Sequence, residues 1–206
     1  MLGALRRIHV PYSAVRASNW RGPSPQLGYD PQQKILGILG MGGIGQEVAA
    51  RGRAFGMTIQ YYNRSRLSPE LEKGAKYVSF EELMKTSDVL SLNCSLRKET
   101  IGIIGRKEFA LMKEGVILVN TARGKLIDEQ ALVDALDAGK VFSAGLDVYE
   151  EEPKVHEGLL NNPNVVLLPH IGTATKETQV SYLVCEKRRL TNLMCSEIWS
   201  YWSLRT

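Results

Sequence analysis

An α/β fold, with a doubly wound, mostly parallel sheet and helices on both faces, is the class this sequence predicts. Three observations point to it. Apolar runs of strand length alternate with helical patterns from Ile35 to Leu168, the order of a parallel sheet with crossover helices. The first run, Ile35-Leu36-Gly37-Ile38-Leu39, leads straight into Gly40-Met41-Gly42-Gly43-Ile44-Gly45. Polar residues collect just past the ends of the runs, at Asn63, Cys94, Arg123, Asp147 and His170, where such sheets bind ligands.

The stretch from Lys34 to Arg66 reads as a complete β-α-β unit. Its helix is expected to carry Ile44, Val48 and Phe55 on one side, and its second strand to run from Met57 to Tyr62. The glycines match G-x-G-x-x-G, and each has a mechanical reason. Gly40 allows a tight strand-to-helix turn, Gly42 lets backbone approach a pyrophosphate, and Gly45 lets the helix sit close on the strand. The free N–H groups and positive end of the helix then hold the phosphates. A dinucleotide site follows, the competing reading being a structural glycine turn. The second strand ends in Asn63-Arg64-Ser65-Arg66, with no acid to bind a ribose 2′-hydroxyl. Arg64 and Ser65 suit a 2′-phosphate, so NADP is favoured, with NAD possible; a solvated basic loop is the alternative.

Composition narrows the partners. The 206 residues are 44% hydrophobic and 23% charged, enough apolar mass for one sizeable core. Net charge is +4, from 26 Lys and Arg against 22 Asp and Glu. That suits an anionic small ligand, and no basic stripe interleaved with aromatics marks a nucleic-acid partner. The three cysteines, Cys94, Cys185 and Cys195, form no CxxC pair; reduced thiols of an intracellular, cytoplasmic protein are expected and a metal site is not. No apolar run approaches membrane-spanning length.

Residues 1–27 read as a helix ending near Trp20 and a Pro/Gly-rich link, Arg21-Gly22-Pro23-Ser24-Pro25. This start has no Asp or Glu but four arginines, Arg6, Arg7, Arg16 and Arg21, so a mitochondrial presequence is the competing reading. Pro69-Glu70 opens a short helix, and Tyr77-Val78 is a brief strand. Ser79 to Glu82 reads as a capping box for a helix ending near Thr86. Asp88 to Asn93 is a strand, Thr100 starts a helical stretch, and Arg106 to Met112 is a helix stopped by Gly115. Val116 to Val119 is a buried strand. Asp128 caps a helix with Ala131, Leu132, Ala135 and Leu136 inward, closed by Gly139. Ser143–Leu146 and Val165–Leu168 are the last strands.

Three residues stand out chemically. Arg123 follows a buried strand, Glu152 lies in Tyr149-Glu150-Glu151-Glu152-Pro153, and His170 follows Pro169. Each has a plain reading: an ion pair of Arg123 with Asp128, a solvated acidic loop, a hydrogen-bonded loop histidine. Together they suit carbonyl reduction. Histidine donates a proton to the oxygen that gains charge, a carboxylate orients and charges the imidazole, and arginine grips a substrate carboxylate through parallel hydrogen bonds.

The motifs GILGMGGIG, SDVLSLN, VILVNTARGKLID, AGLDVYEEEP and LLPHIGTAT, in this order, resemble the cofactor domain of the D-isomer-specific 2-hydroxyacid dehydrogenases. The likeness runs from about Gly28 to Glu177 and is strongest to the glyoxylate/hydroxypyruvate reductase and mandelate dehydrogenase-like branch. It implies a Rossmann domain over residues 28–178 and hydride transfer between NAD(P)H and a small 2-oxo or 2-hydroxy acid. By resemblance Arg123 binds substrate, His170 is the proton donor, and Glu152, not Glu150 or Glu151, is its partner. The resemblance implies that Gly42, Gly43 and Ile44 meet the pyrophosphate and that Ser95 lies in the loop beside the adenosine; Asn63, Arg64, Ser65, Cys94 and Thr100 are further cofactor-binding candidates. Thr121, Asp147, His170 and Gly172 lie toward the nicotinamide. The family is usually dimeric, so a homodimer is expected.

The chain departs from the family at Ser95, where proline is usual, and in starting almost at the cofactor domain, without the segment that builds most of the substrate domain. Residues 179–206 no longer resemble it; Val180, Leu183, Val184, Leu190, Leu193, Met194, Ile198, Tyr201 and Trp202 fall near helical spacing, and this tail reads as a helix packed on the core or a partner, the alternatives being a membrane-surface helix and a disordered or aberrant tail. The chain is expected to fold and bind cofactor but to turn over slowly or not at all. The alternative function is a dinucleotide-binding module without turnover, acting as a sensor or partner subunit.

Overall fold

A computed structural model describes residues 1–20 and 27–180; the Arg21–Pro25 link and nearly all of the tail lie outside the described residues. Seven strands form one wholly parallel sheet in the order β3-β2-β1-β4-β5-β6-β7. They are β1 (Ile35–Leu39), β2 (Thr58–Tyr62), β3 (Lys76–Tyr77), β4 (Val89–Leu92), β5 (Val116–Asn120), β6 (Val141–Leu146) and β7 (Val165–Leu167). The helices are α1 (Leu2–Arg6), α2 (His9–Arg16), α3 (Gly43–Ala54), α4 (Pro69–Glu72), α5 (Phe80–Thr86), α6 (Arg106–Leu111), α7 (Glu129–Asp137) and α8 (Glu157–Leu160). The expected doubly wound sheet is therefore present. Its order reverses at β1, which pairs with β2 on one side and β4 on the other.

Alternation along the strands builds a core on each face. Leu36 and Ile38 of β1 join Ile59, Tyr61, Ile117 and Val119 under α1 and α3. Leu90 and Leu92 of β4 join Leu118, Ala144 and Leu146 under α5, α6 and α7. With both faces covered, the strands need continuous apolar sequence, and β5 is buried at all five positions.

Local chemistry sets the ends. Ser79 Oγ accepts from the Glu82 N–H at 3.1 Å, one half of the expected box, and Asp128 Oδ1 accepts from the Ala131 N–H at 2.9 Å. Ala131, Leu132, Ala135 and Leu136 are buried as expected, and Gly139 takes a positive φ of 74° just past α7.

Three expectations need correction. The buried face of α3 is Gly45, Ala49 and Gly52, while Ile44 is 60% and Phe55 42% exposed. The helix lies too close to the sheet for large side chains: a Cβ on Gly52 would sit 2.6 Å from Leu36 Cδ2. The N-terminal segment is two helices, not one, because Arg7 turns left-handed (φ 47°) between them. Ala4, Leu5 and Arg7 are buried, and the Arg7 guanidinium donates to Asn164 Oδ1, so the start of this segment packs on the sheet. Thr100 closes a 3-10 turn, Lys98–Thr100, rather than opening a helix. Its Oγ1 accepts from the Arg97 N–H at 2.7 Å and donates to the Ser95 carbonyl at 2.9 Å, which ties the turn shut.

Leu90→Ala should lower stability by about 2–5 kcal/mol, since Leu90 is fully buried in the α5–α7 face core. Urea unfolding checks this; a loss under about 1 kcal/mol would contradict the two-faced packing.

Candidate functional site

All seven strands point their carboxyl ends the same way, so the loops that follow them share one edge. At the sheet's reversal point, between the ends of β1, β2 and β4, lies a cavity of about 820 Å³. Gly40, Gly42, Asn63, Arg64, Ser65, Cys94, Ser95 and Thr100 all line it. Gly40 has a φ of 98° and packs against the backbone of Cys94, where a Cβ would come within 2.5 Å of the amide nitrogen. Gly45 is equally constrained, its Cβ position being 2.5 Å from the Gly40 carbonyl. Gly42 differs. A Cβ there would meet nothing within 4 Å, and its φ of −81° suits any residue. The fold itself does not require glycine at this point, and the missing Cβ leaves the backbone open to a group approaching from outside. Gly42 is also the N-cap of α3, which has no side-chain cap, leaving its first N–H groups to a phosphate. The residues present thus fit a dinucleotide. Gly43, Ile44 and Gly45 form the first turn above the cavity, with Ile44 standing in solvent.

The basic loop after β2 divides its labour. Asn63 Oδ1 accepts from the Met41 N–H at 2.7 Å, fastening the glycine loop to β2. Arg66 is occupied: its Nε donates to Glu72 Oε1 at 2.8 Å, and the same carboxylate accepts from Tyr61 Oη. Arg64 lines the cavity and has no ion-pair partner among the described residues. Burial pushes the Cys94 thiol up, so it stays neutral in the cavity wall.

The second group lies farther along the edge, past β5, β6 and β7. His170 Nδ1 is 2.8 Å from Glu152 Oε2. The Glu152 carboxylate can only accept, so Nδ1 carries the proton. Glu152 Oε1 accepts from the Tyr149 N–H at 2.9 Å. The hydrogen bond from His170, then that from Tyr149, hold the Glu152 carboxyl below its ordinary value, with a smaller attraction from Arg123. The structure therefore gathers Arg123, Glu152 and His170, as the sequence suggested. Arg123 does not pair with Asp128; its Nη1 donates to the Ala122 carbonyl at 2.6 Å, and Asp128 caps α7.

Asp147 is buried, and its two oxygens accept from the N–H groups of Ile171 and Gly172, each at 2.8 Å. It holds the histidine loop, in which His170 takes a left-handed φ of 53°. Thr121 is exposed at the end of β5, and neither it nor Asp147, His170 or Gly172 lines the large cavity. The residues expected around one cofactor thus form two clusters on one edge.

Two supporting residues escaped the sequence reading. Asn120 is fully buried, donates to the Arg123 carbonyl at 2.9 Å and accepts from the Ala122 N–H at 3.0 Å, shaping the arginine loop. An asparagine ending an all-apolar strand is the signal for such a turn. Glu129, also buried, accepts from the Glu150 N–H at 2.8 Å and joins α7 to the Glu152 loop; burial raises its carboxyl. No sequence signal marks that contact. The two loops touch so closely that a Cβ on Gly124 would fall 1.9 Å from the Tyr149 carbonyl carbon.

A parallel sheet with a glycine turn at its reversal point, and an Arg–Glu–His group on the same edge, defines a dinucleotide-binding oxidoreductase domain. The family model described as "D-isomer specific 2-hydroxyacid dehydrogenase, NAD binding domain" matches residues 1–172. The chain belongs to this family, and its cofactor is a nicotinamide dinucleotide. It is 68% identical over 179 residues to 4-methyl-2-oxopentanoate reductase A of Aspergillus oryzae, covering 87% of this chain and 54% of that protein. To a glyoxylate reductase of Thermococcus litoralis it is 48% identical over 187 residues, covering 87% and 56%. The crystal structure of a glyoxylate reductase from Paecilomyes thermophila superposes with a TM-score of 0.87 at 63% identity, covering 90% of this chain and 56% of that one. The chain therefore spans about half the length of the curated relatives it matches.

Gly42→Ala should leave stability within about 0.5 kcal/mol and weaken NADPH binding at least about tenfold; Gly45→Ala should cost roughly 1–3 kcal/mol of stability. Thermal unfolding with a fluorescence titration separates them, and equal effects on folding would contradict the cradle. The Glu152–His170 pair has its own signature. A carboxyl whose folded value is depressed stabilises above its unfolded value, about 4.3, and loses this as pH falls through the folded value. Glu152→Gln should thus be less stable than the parent at about pH 7, with the gap narrowing as pH falls below about 4.3. A gap independent of pH in denaturant unfolding would rule this out.

Proposed function

We propose that this chain is the cofactor half of an enzyme that reduces a small 2-oxo acid, such as glyoxylate or hydroxypyruvate, to its D-2-hydroxy acid. The observation that carries this is the Glu152–His170 pair at 2.8 Å, with Glu152 fixed from behind by the Tyr149 N–H. The nicotinamide, when bound, supplies the hydride. His170 has Nδ1 committed to Glu152, so Nε2 is the nitrogen that gives a proton to the substrate oxygen as charge develops there. The Glu152 carboxylate, accepting from Nδ1, fixes the orientation of the ring. Arg123 holds the substrate carboxylate through parallel hydrogen bonds and draws charge onto the carbonyl oxygen. Asp147 keeps the histidine loop in register, and Asn120 does the same for the arginine loop.

NADPH is preferred and NADH is possible. Arg64 beside Ser65, without an ion-pair partner among the described residues, and the lack of an acid at the end of β2 support this. The protein acts as a homodimer in the cytoplasm. In support of the dimer, α2 buries none of its residues, and Ile8, Tyr12 and Val15 are 61%, 62% and 48% exposed, an apolar face that a second copy would cover. The free thiol of Cys94 suits a reducing compartment. A bulkier branched 2-oxo acid is the second reading for the substrate, favoured by the 68% identity to a 4-methyl-2-oxopentanoate reductase.

The test replaces the matching segment of the Aspergillus oryzae protein with this chain. The chimera should oxidise NADPH on addition of glyoxylate or 4-methyl-2-oxopentanoate. His170→Ala should cut kcat at least about a hundredfold. Full turnover in His170→Ala would refute the proton donor, and a folded chimera inert to both acids would refute the activity.

A further inference from the structure

The residue left without a task is Arg97. It follows β4, on the other side of β1 from the Asn63–Ser65 loop, and lines the same cavity of about 820 Å³ as Arg64, Ser65 and Gly42. Its side chain is exposed, but the backbone that carries it is pinned, because the Arg97 N–H donates to Thr100 Oγ1 and that hydroxyl donates to the Ser95 carbonyl. Among the described residues neither Arg64 nor Arg97 has an ion-pair partner, whereas Arg66 is spent on Glu72. Two arginines therefore line one concavity, on loops after strands that flank β1 on either side, and Glu99 is the single carboxylate residue among its lining. Cations left unpaired in a concave wall concentrate an anion there.

The charge of the ligand decides where that anion sits. The two diester phosphates of a dinucleotide carry one charge each and belong at Gly42 and the first turn of α3. A phosphate monoester carries about −1.5 to −2 near neutral pH, with three acceptor oxygens, and matches two forked cations. We infer that Arg97 is a second 2′-phosphate-binding residue, which closes with Arg64 across the adenosine end and shares in setting cofactor choice. This rests on the NADPH preference proposed above.

Fluorescence titration of the 206-residue chain with NADPH and NADH, and competition by 2′,5′-ADP and by 5′-AMP, tests it without any turnover. Arg97→Ala should weaken NADPH and 2′,5′-ADP about tenfold and leave NADH and 5′-AMP within about twofold. It should also flatten the salt dependence of NADPH binding, and Arg97→Lys should recover part of the loss. A parent chain that prefers NADPH, with that preference unchanged in Arg97→Ala, overturns the assignment of Arg97 alone. Equal losses for NADPH and NADH also overturn it, placing Arg97 on the shared part of the cofactor. A parent chain that binds both cofactors equally overturns the preference for NADPH, and the role of Arg97 with it.

Discussion

The site exists because seven strands run in one direction. A parallel sheet puts every carboxyl end, and every loop that leaves it, on a single edge. Residues as far apart in sequence as Gly42, Arg64, Arg123 and His170 share that edge without any long-range pairing of their own. The reversal of strand order at β1 parts the loops on either side and opens the cavity between them. Close approach of α3 to β1, which Gly45 and Gly52 allow, brings the helix N-terminus to the mouth of that cavity.

What holds the second cluster is a set of buried polar contacts rather than apolar packing. Asn120, Glu129 and Asp147 are buried, and their side chains accept from loop N–H groups. Buried amides need partners, and here the partners are the residues that shape the loops carrying Arg123, Glu152 and His170. Each loop is thus held where burial makes the hydrogen bond costly to lose, while the three side chains themselves remain at least partly exposed. That arrangement suits groups that must meet a substrate.

Much of this was legible in the sequence, and the physical reason is periodicity. Buried parallel strands need unbroken apolar runs, so β1, β4 and β5 stood out, with ends right to within a residue or so. The glycine pattern, and Arg123, Glu152 and His170 as a candidate group, were legible because the chemistry they suit permits few substitutes. The face of α3 was misread because a helix against a sheet can bury glycines, and hydrophobicity gives them no weight. Asn120 left a signal, a polar residue closing an apolar strand, that went unread; Glu129 was missed because its partner is a backbone N–H in a loop, which leaves no trace in residue type. The basic run after β2 showed its charge but not that Arg66 is consumed by Glu72 while Arg64 is left for the cavity. Only the position of Glu72, six residues on and folded back by α4, settles that division.

The most direct test of the account is a crystal structure of the chain grown with NADPH. The account predicts the pyrophosphate over Gly42 at the first turn of α3, the adenosine in the cavity between the β2 and β4 loops, and the nicotinamide beside Asp147 and His170. A cofactor bound elsewhere, or with its nicotinamide away from the Arg123–Glu152–His170 edge, would contradict the claim that the two clusters form one site.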